Sequence, residues 1–280
     1  MNTLVRKAKT VLVLALPLIL VHSALGADVV LWEEDFEDVV LESSIDEGLV
    51  KNKVWSNKYE GWTIETIVPD NIGVREWQSW AFADAAWWTA TAGDQERSKF
   101  TVEANDGLAR GTIAIADPDE WDDKPAAGGN PEAVQDYDTS LTSPPIDIRN
   151  AGADSITIQF DSSWRPEDIQ EAEVSVSFDG GKPEVLMTMV SKGTTTDFEI
   201  EYKRFKENFQ DLENVNETIV LDEIPSPAGA REMQITWRMP AADNDWWWAI
   251  DNVVVSTNAF SVDATGKLTT TWGSLKRAAR

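Results

Sequence analysis

Apolar and polar residues alternate along much of this chain, and the alternation predicts β-strands. Ala172, Val174, Val176 and Phe178 interleave with Glu171, Glu173, Ser175 and Ser177, and Asp179-Gly180-Gly181 follows as a turn. That is the pattern of a half-buried strand entering a hairpin. Ile156, Ile158 and Phe160 alternate with Thr157, Gln159 and Asp161, and Met233, Ile235, Trp237 and Met239 with Gln234, Thr236 and Arg238. Val30 to Phe36, Thr112 to Ala116 and Thr218 to Leu221 add three further strands. Sustained helical period is missing, and Asp197 to Leu212 reads as a short helix or an irregular insertion. Many short strands separated by Gly, Pro and Asp predict an all-β fold, an antiparallel β-sandwich of jelly-roll type.

The last strand carries the densest signal. Asp243-Asn244-Asp245-Trp246-Trp247-Trp248-Ala249-Ile250-Asp251-Asn252 runs into Val253-Val254-Val255. Side chains on a strand point alternately to its two faces. Trp246, Trp248 and Ile250 are therefore expected on one surface, with Trp247, Ala249 and Asp251 on the other. Asp117 to Asp138 reads as a long loop, and its acidic run Asp117 to Asp123 as a solvated turn, since the spacing does not match an EF-hand.

Composition changes the picture at three points. Arg6, Lys7 and Lys9, the apolar run Val11 to Val21 and the small residues Ala24-Leu25-Gly26 form a secretory signal peptide over 1–26. The β-sandwich domain is expected over 27–256, and 257–280 as a basic polar tail that is disordered or serves sorting or processing. Loss of the leader's three basic residues moves the formal charge from −25 to −28. Such a balance disfavours nucleic acid and anionic surfaces. The chain has no cysteine, and its single histidine, His22, lies inside the leader. Triads, thiolates and imidazole-bound zinc are thereby excluded from the mature protein.

What remains for chemistry is carboxylates and aromatics. Glu33, Asp35 and Glu37 have the alternate spacing that would gather three acids on one strand face, as a retaining glycoside hydrolase needs. The run sits on the first strand of the mature chain, however, and Glu34 interrupts the opposite face. The 14 tryptophans are the larger asset. Trp77, Trp80, Trp87, Trp88 and Trp121 fall in stretches without clean alternation, so some are expected at the surface as carbohydrate-stacking platforms.

Several segments resemble one family when taken in order. Asp35-Phe36-Glu37, Gly61-Trp62-Thr63, Leu141-Thr142-Ser143-Pro144-Pro145-Ile146-Asp147-Ile148, Ser177-Phe178-Asp179-Gly180-Gly181 and Trp248-Ala249-Ile250-Asp251-Asn252-Val253 together resemble the MAM-like, cleaved-adhesin-like jelly-roll modules of secreted bacterial proteins, the choice-of-anchor J type included. The resemblance spans about residues 29 to 256, and it departs from the animal pattern in lacking cysteine. It implies an accessory binding module and a structural calcium ion joining the first strand to the last. Asp35, Glu37 and Asp251 are the matching ligand positions, with Asp161 as a fourth. The expected function is a secreted, calcium-stabilised, non-catalytic module that binds extracellular polysaccharide or surface matrix, with no membrane insertion after leader cleavage. A carboxylate-based glycoside hydrolase and a purely structural matrix protein are the alternatives.

Overall fold

The alternating segments pair into two antiparallel sheets. A computed structural model of the chain describes residues 28–68, 73–124, 137–166, 170–194, 197–204, 207–209, 215–242 and 246–258. The predicted leader and the tail beyond 258 lie outside the described residues. Asp28–Phe260 is one unit, and the architecture that follows belongs to it.

The first sheet runs in the order β13 (Val215–Ile224), β8 (Ile156–Trp164), β15 (Trp248–Thr257), β5 (Thr112–Ala116), β4 (Ala81–Asp84) and β2 (Trp55–Ser56). β1 (Val29–Glu34) also pairs with β15, so the first and last strands lie side by side. The second sheet runs β12 (Glu207–Phe209), β11 (Asp197–Arg204), β10 (Glu184–Thr194), β9 (Glu171–Phe178), β14 (Glu232–Ala241), β6 (Asp138–Thr142) and β3 (Thr63–Ile67), and β7 (Ile146–Asp147) pairs with β14. The fold is an antiparallel β-sandwich. β9 and β10 form the expected hairpin, with Asp179 (φ +50°) and Gly180 (φ +68°) in its turn.

Inward residues of the two sheets meet in one core. Met233, Ile235, Trp237 and Met239 of β14 are fully buried. Trp237 meets Phe160 of β8 edge-on with centroids 5.7 Å apart. Each large apolar side chain taken fully out of water contributes roughly 1.5–3 kcal/mol, so a packed aromatic core can hold the fold without disulfides.

β15 departs from the two-faced expectation. Trp248, Ala249, Ile250 and Asp251, with Trp247 just before the strand, are all buried, because both faces are covered. On one side Trp248 packs against Trp80, and on the other Trp247 packs against Trp88, each at 5.4 Å. Trp80 and Trp88 belong to the segment of 73–124 that carries α1 (Ala85–Thr91), α2 (Ser98–Thr101) and α3 (Pro118–Asp122). Asp84 caps α1 by accepting the Trp87 N–H at 2.7 Å, and Asp117 caps α3 by accepting the Glu120 N–H at 3.2 Å.

Three local expectations need correction. Within 197–212, where a helix or insertion is expected, the described residues 197–204 and 207–209 are the strand pair β11 and β12, consistent with Phe198, Ile200 and Tyr202 alternating with Glu199, Glu201 and Lys203. The first strand ends at Glu34 rather than Phe36, because Phe36 turns the chain at φ +58°. The acidic run 117–123 is not a solvated turn: it forms α3, with Asp117, Glu120 and Asp122 buried. Residues 125–136 of the expected loop lie outside the described residues.

Candidate functional site

The five tryptophans expected to offer sugar-stacking faces are core residues. Trp77, Trp80, Trp87, Trp88 and Trp121 are at most 1% exposed. Trp77 and Trp87 stack on each other at 5.4 Å, and Trp121 meets Tyr137 at 5.3 Å. Their indole N–H groups are largely used internally: Trp77 donates to Glu47 Oε2 at 2.9 Å, Trp87 to the Leu49 carbonyl at 2.9 Å and Trp88 to Asp117 Oδ2 at 2.7 Å. The carbohydrate-platform expectation fails at these positions. Non-alternating tryptophans pack in the interior, where large aromatic area is worth most, and Trp88 lies in the layer between the helical segment and the first sheet.

Arg97 sits at the centre of that layer with no exposure. Its guanidinium lies over the rings of Trp88 (4.8 Å) and Trp247 (4.9 Å) and pairs with Asp117 at 3.0 Å and Glu120 at 2.8 Å. Burial, then the Asp117 charge, push the Glu120 carboxyl up to about 8 against the pull of Arg97. Burial likewise raises Asp122 to about 7. These groups are largely sealed from solvent.

The proposed metal ligands divide. Asp251 faces Asp161 across the β15–β8 pairing. Its Oδ2 accepts the Arg110 N–H at 2.9 Å and its Oδ1 the Asn252 N–H at 2.8 Å. Asp161 accepts Thr218 Oγ1 at 2.5 Å and Asn252 Nδ2 at 2.9 Å. Glu37 accepts the Thr112 N–H at 3.1 Å, with its carboxylate lying against Gly111. Burial pushes the Asp251 carboxyl up to about 7, against those two N–H donors, and the charges of Asp161 and Glu37 add to the rise. Asp35 instead accepts the Glu37 N–H at 3.2 Å. Among the described residues no three His, Cys, Asp or Glu side chains are gathered as a metal site. Asp35, Glu37, Asp161 and Asp251 therefore do not make one ligand shell in this arrangement.

The same turn separates the acids of the hydrolase motif. Glu33 and Asp35 line one cleft, while Glu37 points to the Gly111–Thr112 segment. The single face expected for Glu33, Asp35 and Glu37 is therefore not built, since only Glu33 and Asp35 stay together.

A partly exposed aromatic pair lies elsewhere, at the turn leading into β3. The Trp62 N–H donates to the Tyr59 carbonyl at 3.1 Å, and Gly61 takes φ +85°. A positive φ at the third position is what a type II turn requires. This tight turn sets the Tyr59 and Trp62 rings nearly parallel, 14° apart with centroids at 6.3 Å. Trp62 is half-buried and anchored from below by Phe36 (5.3 Å), Trp237 (6.1 Å) and Trp32 (6.0 Å). It forms one wall of an open cleft of about 740 Å³ with Asp38, Val40, Asn57, Lys58, Tyr59 and Glu60. A second cleft of about 440 Å³ shares Tyr59 and Asp38 and adds Glu33, Glu34, Asp35 and the Asn252–Val254 backbone of the last strand.

Glu34 ties the two clefts together. Its Oε1 accepts the Phe36 N–H at 2.8 Å and the Tyr59 hydroxyl at 3.3 Å, and the Trp62 indole also donates to it. Burial raises this carboxyl, and the donors only partly offset the rise. Burial and the Glu34 charge push the Tyr59 hydroxyl up to about 12, so it stays protonated and donating across the physiological range. The result is a nearly parallel aromatic pair, with its hydroxyl held by a carboxylate and its rim polar. Such a surface can stack on the C–H face of a ring while the rim takes hydroxyls.

Sequence reasoning missed Tyr59, Trp32 and Glu34, and used Trp62 only as part of the family skeleton. The usable signal was position: Trp62 follows a turn glycine and stands apart from the crowded tryptophans.

No family model and no curated protein matches this chain. Among solved structures, it is similar to the K3 cleaved adhesin domain of Lys-gingipain from Porphyromonas gingivalis W83, at 13% identity and a TM-score of 0.41, covering 82% of this chain and 98% of that one. It is also similar to the carbohydrate-binding module TmCBM61, solved with β-1,4-galactotriose, at 12% identity and a TM-score of 0.37, over 71% of this chain and 89% of the other. A third is the mannan-recognising module TmCBM27, at 12% identity and a TM-score of 0.33, over 83% and 99%.

Proposed function

We propose that the mature protein is a secreted, non-catalytic module that binds extracellular glycan through the Tyr59–Trp62 cleft. The observation that carries this reading is the parallel, half-buried aromatic pair held over the core at the mouth of an open polar cleft. Export rests on the leader pattern of residues 1–26. Binding without turnover rests on the lack of cysteine and histidine in the expected mature chain, which removes triad and thiol chemistry. A glycan array probed with the mature protein and with Tyr59→Ala tests the site. Glycans bound by the first and lost by the second support it; equal binding by both rejects the cleft. Steady release of reducing ends from a bound polysaccharide rejects the non-catalytic part.

Structural calcium, implied by the family resemblance, enters as a separate proposal. An ion at Asp251 would compete with the N–H donors of Arg110 and Asn252. The test is the melting temperature in millimolar calcium against excess chelator. A rise that Asp251→Asn removes supports the ion, because binding to the folded state alone shifts unfolding by mass action. Unchanged melting rejects it.

A further inference from the structure

The rim of the aromatic cleft is strongly one-sided in charge. Glu33, Glu34, Asp35, Asp38 and Glu60 line the two joined clefts, and Lys58 is the single basic side chain on their walls. Among the described residues the carboxylates of Glu33, Asp38 and Glu60 make no hydrogen bond or ion pair, whereas Glu34 is fully engaged in fixing Tyr59 and Trp62. The acids therefore have two roles. Glu34 builds the platform, and Glu33, Asp38 and Glu60 present unpaired negative charge beside it.

A neutral sugar needs no such excess, since amides and hydroxyls serve its hydroxyl groups equally well. Unpaired carboxylates beside an aromatic face give a protonated amine a Coulomb attraction that a neutral sugar lacks. Aromatic faces add to the same preference, because the ring quadrupole attracts cations lying over it. The face for stacking and the charge for the rim are combined in one ligand, a sugar whose hydroxyl is replaced by a protonated amine. We propose that the cleft selects glycans carrying free, protonated amino groups, with Tyr59 and Trp62 stacking on the ring and Asp38, Glu33 and Glu60 receiving the ammonium. This inference rests on the glycan-binding reading and adds the ligand's charge.

The experiment compares two probes that differ by one chemical group. Calorimetry of the mature protein is run with a β-1,4-linked glucosamine pentamer and with its fully N-acetylated counterpart, at a pH where the free amines are protonated. The expected result is binding of the glucosamine pentamer about tenfold or more tighter than the acetylated one, which is the size of a single well-placed charge contact. Raising salt should narrow the ratio, since the rim is open to solvent. The double variant Asp38→Asn, Glu33→Gln should bring the ratio to about twofold, with the loss falling mainly on the glucosamine pentamer.

Because the chain carries a formal charge of −25, a lysine pentapeptide serves as the control for indiscriminate attraction. Equal affinity for the peptide and the glucosamine pentamer overturns the inference, as does equal affinity for the two pentamers. In the second case binding that Tyr59→Ala abolishes still supports a glycan site, so the two readings fail separately.

Discussion

Replacing Glu120 by glutamine isolates the buried trio around Arg97. One guanidinium faces two carboxylates, Asp117 at 3.0 Å and Glu120 at 2.8 Å, and the Arg97 and Asp117 side chains have no exposure. One positive charge cannot neutralise two negative ones where water is excluded. Asp117 also accepts the Trp88 indole N–H and the Glu120 N–H, so the remaining proton rests on Glu120. Its carboxyl is pushed from the ordinary 4.5 up to about 8 by burial and by Asp117. Between those values the folded protein keeps a proton that the unfolded chain has released. Stability therefore falls as pH rises through this window and levels off above it. For one group the slope is about 1.4 kcal/mol per pH unit. Glutamine has the shape of the protonated acid and does not titrate. Urea unfolding should find Glu120→Gln within about 1 kcal/mol of the parent near pH 5, and about 2–4 kcal/mol more stable than the parent near pH 7.5. Parallel stability curves for the two proteins would refute the assignment of the proton. A loss of more than about 3 kcal/mol near pH 5 would do the same, since that is the cost of breaking a charged pair.

Further outcomes follow from the same interior. Asp122 and Asp251 are both raised to about 7 by burial, so the parent protein should lose stability between pH 5 and 7 more steeply than one group allows; a flat profile there contradicts both. Trp88→Phe strips a donor from Asp117, whereas the Trp80 indole N–H has no partner to lose. Trp88→Phe should therefore cost about 1–2 kcal/mol more than Trp80→Phe, and equal losses in urea melts count against the Asp117 contact. Gly73→Ala forces a methyl group to within 2.1 Å of the Trp121 indole nitrogen at φ +75°. The expected loss is about 3 kcal/mol, and a variant as stable as the parent would show that this loop is not held against Trp121.

The strands were legible because period-two alternation reports directly which face of a sheet is buried. β8, β9 and β14 fall where alternation places them. Alternation was silent about the third layer: the segment from 73 to 124 covers the outer face of β15, so Trp247 and Asp251 became buried along with Trp248. Crowded tryptophans in that segment looked like surface equipment because they lack a period, yet irregular backbone over a sheet is where bulky rings pack. Conversely, Tyr59 and Trp62 gave little signal in sequence, because their partnership depends on a turn with Gly61 at positive φ and on anchoring by Trp32 and Trp237 from distant strands. The acids followed the same logic. Glu33, Asp35 and Glu37 share a face only if the strand continues, and Phe36 at φ +58° ends it.

Calorimetric titration of one array-identified glycan into the mature protein and into Tyr59→Ala tests the central claim most directly. Tyr59 lies at the cleft edge, so the variant should retain the parent's near-ultraviolet spectrum and most of its stability. The account predicts an affinity loss of at least about tenfold, some 1.4 kcal/mol, for removal of one stacking face. Unchanged affinity in a folded Tyr59→Ala protein would contradict it.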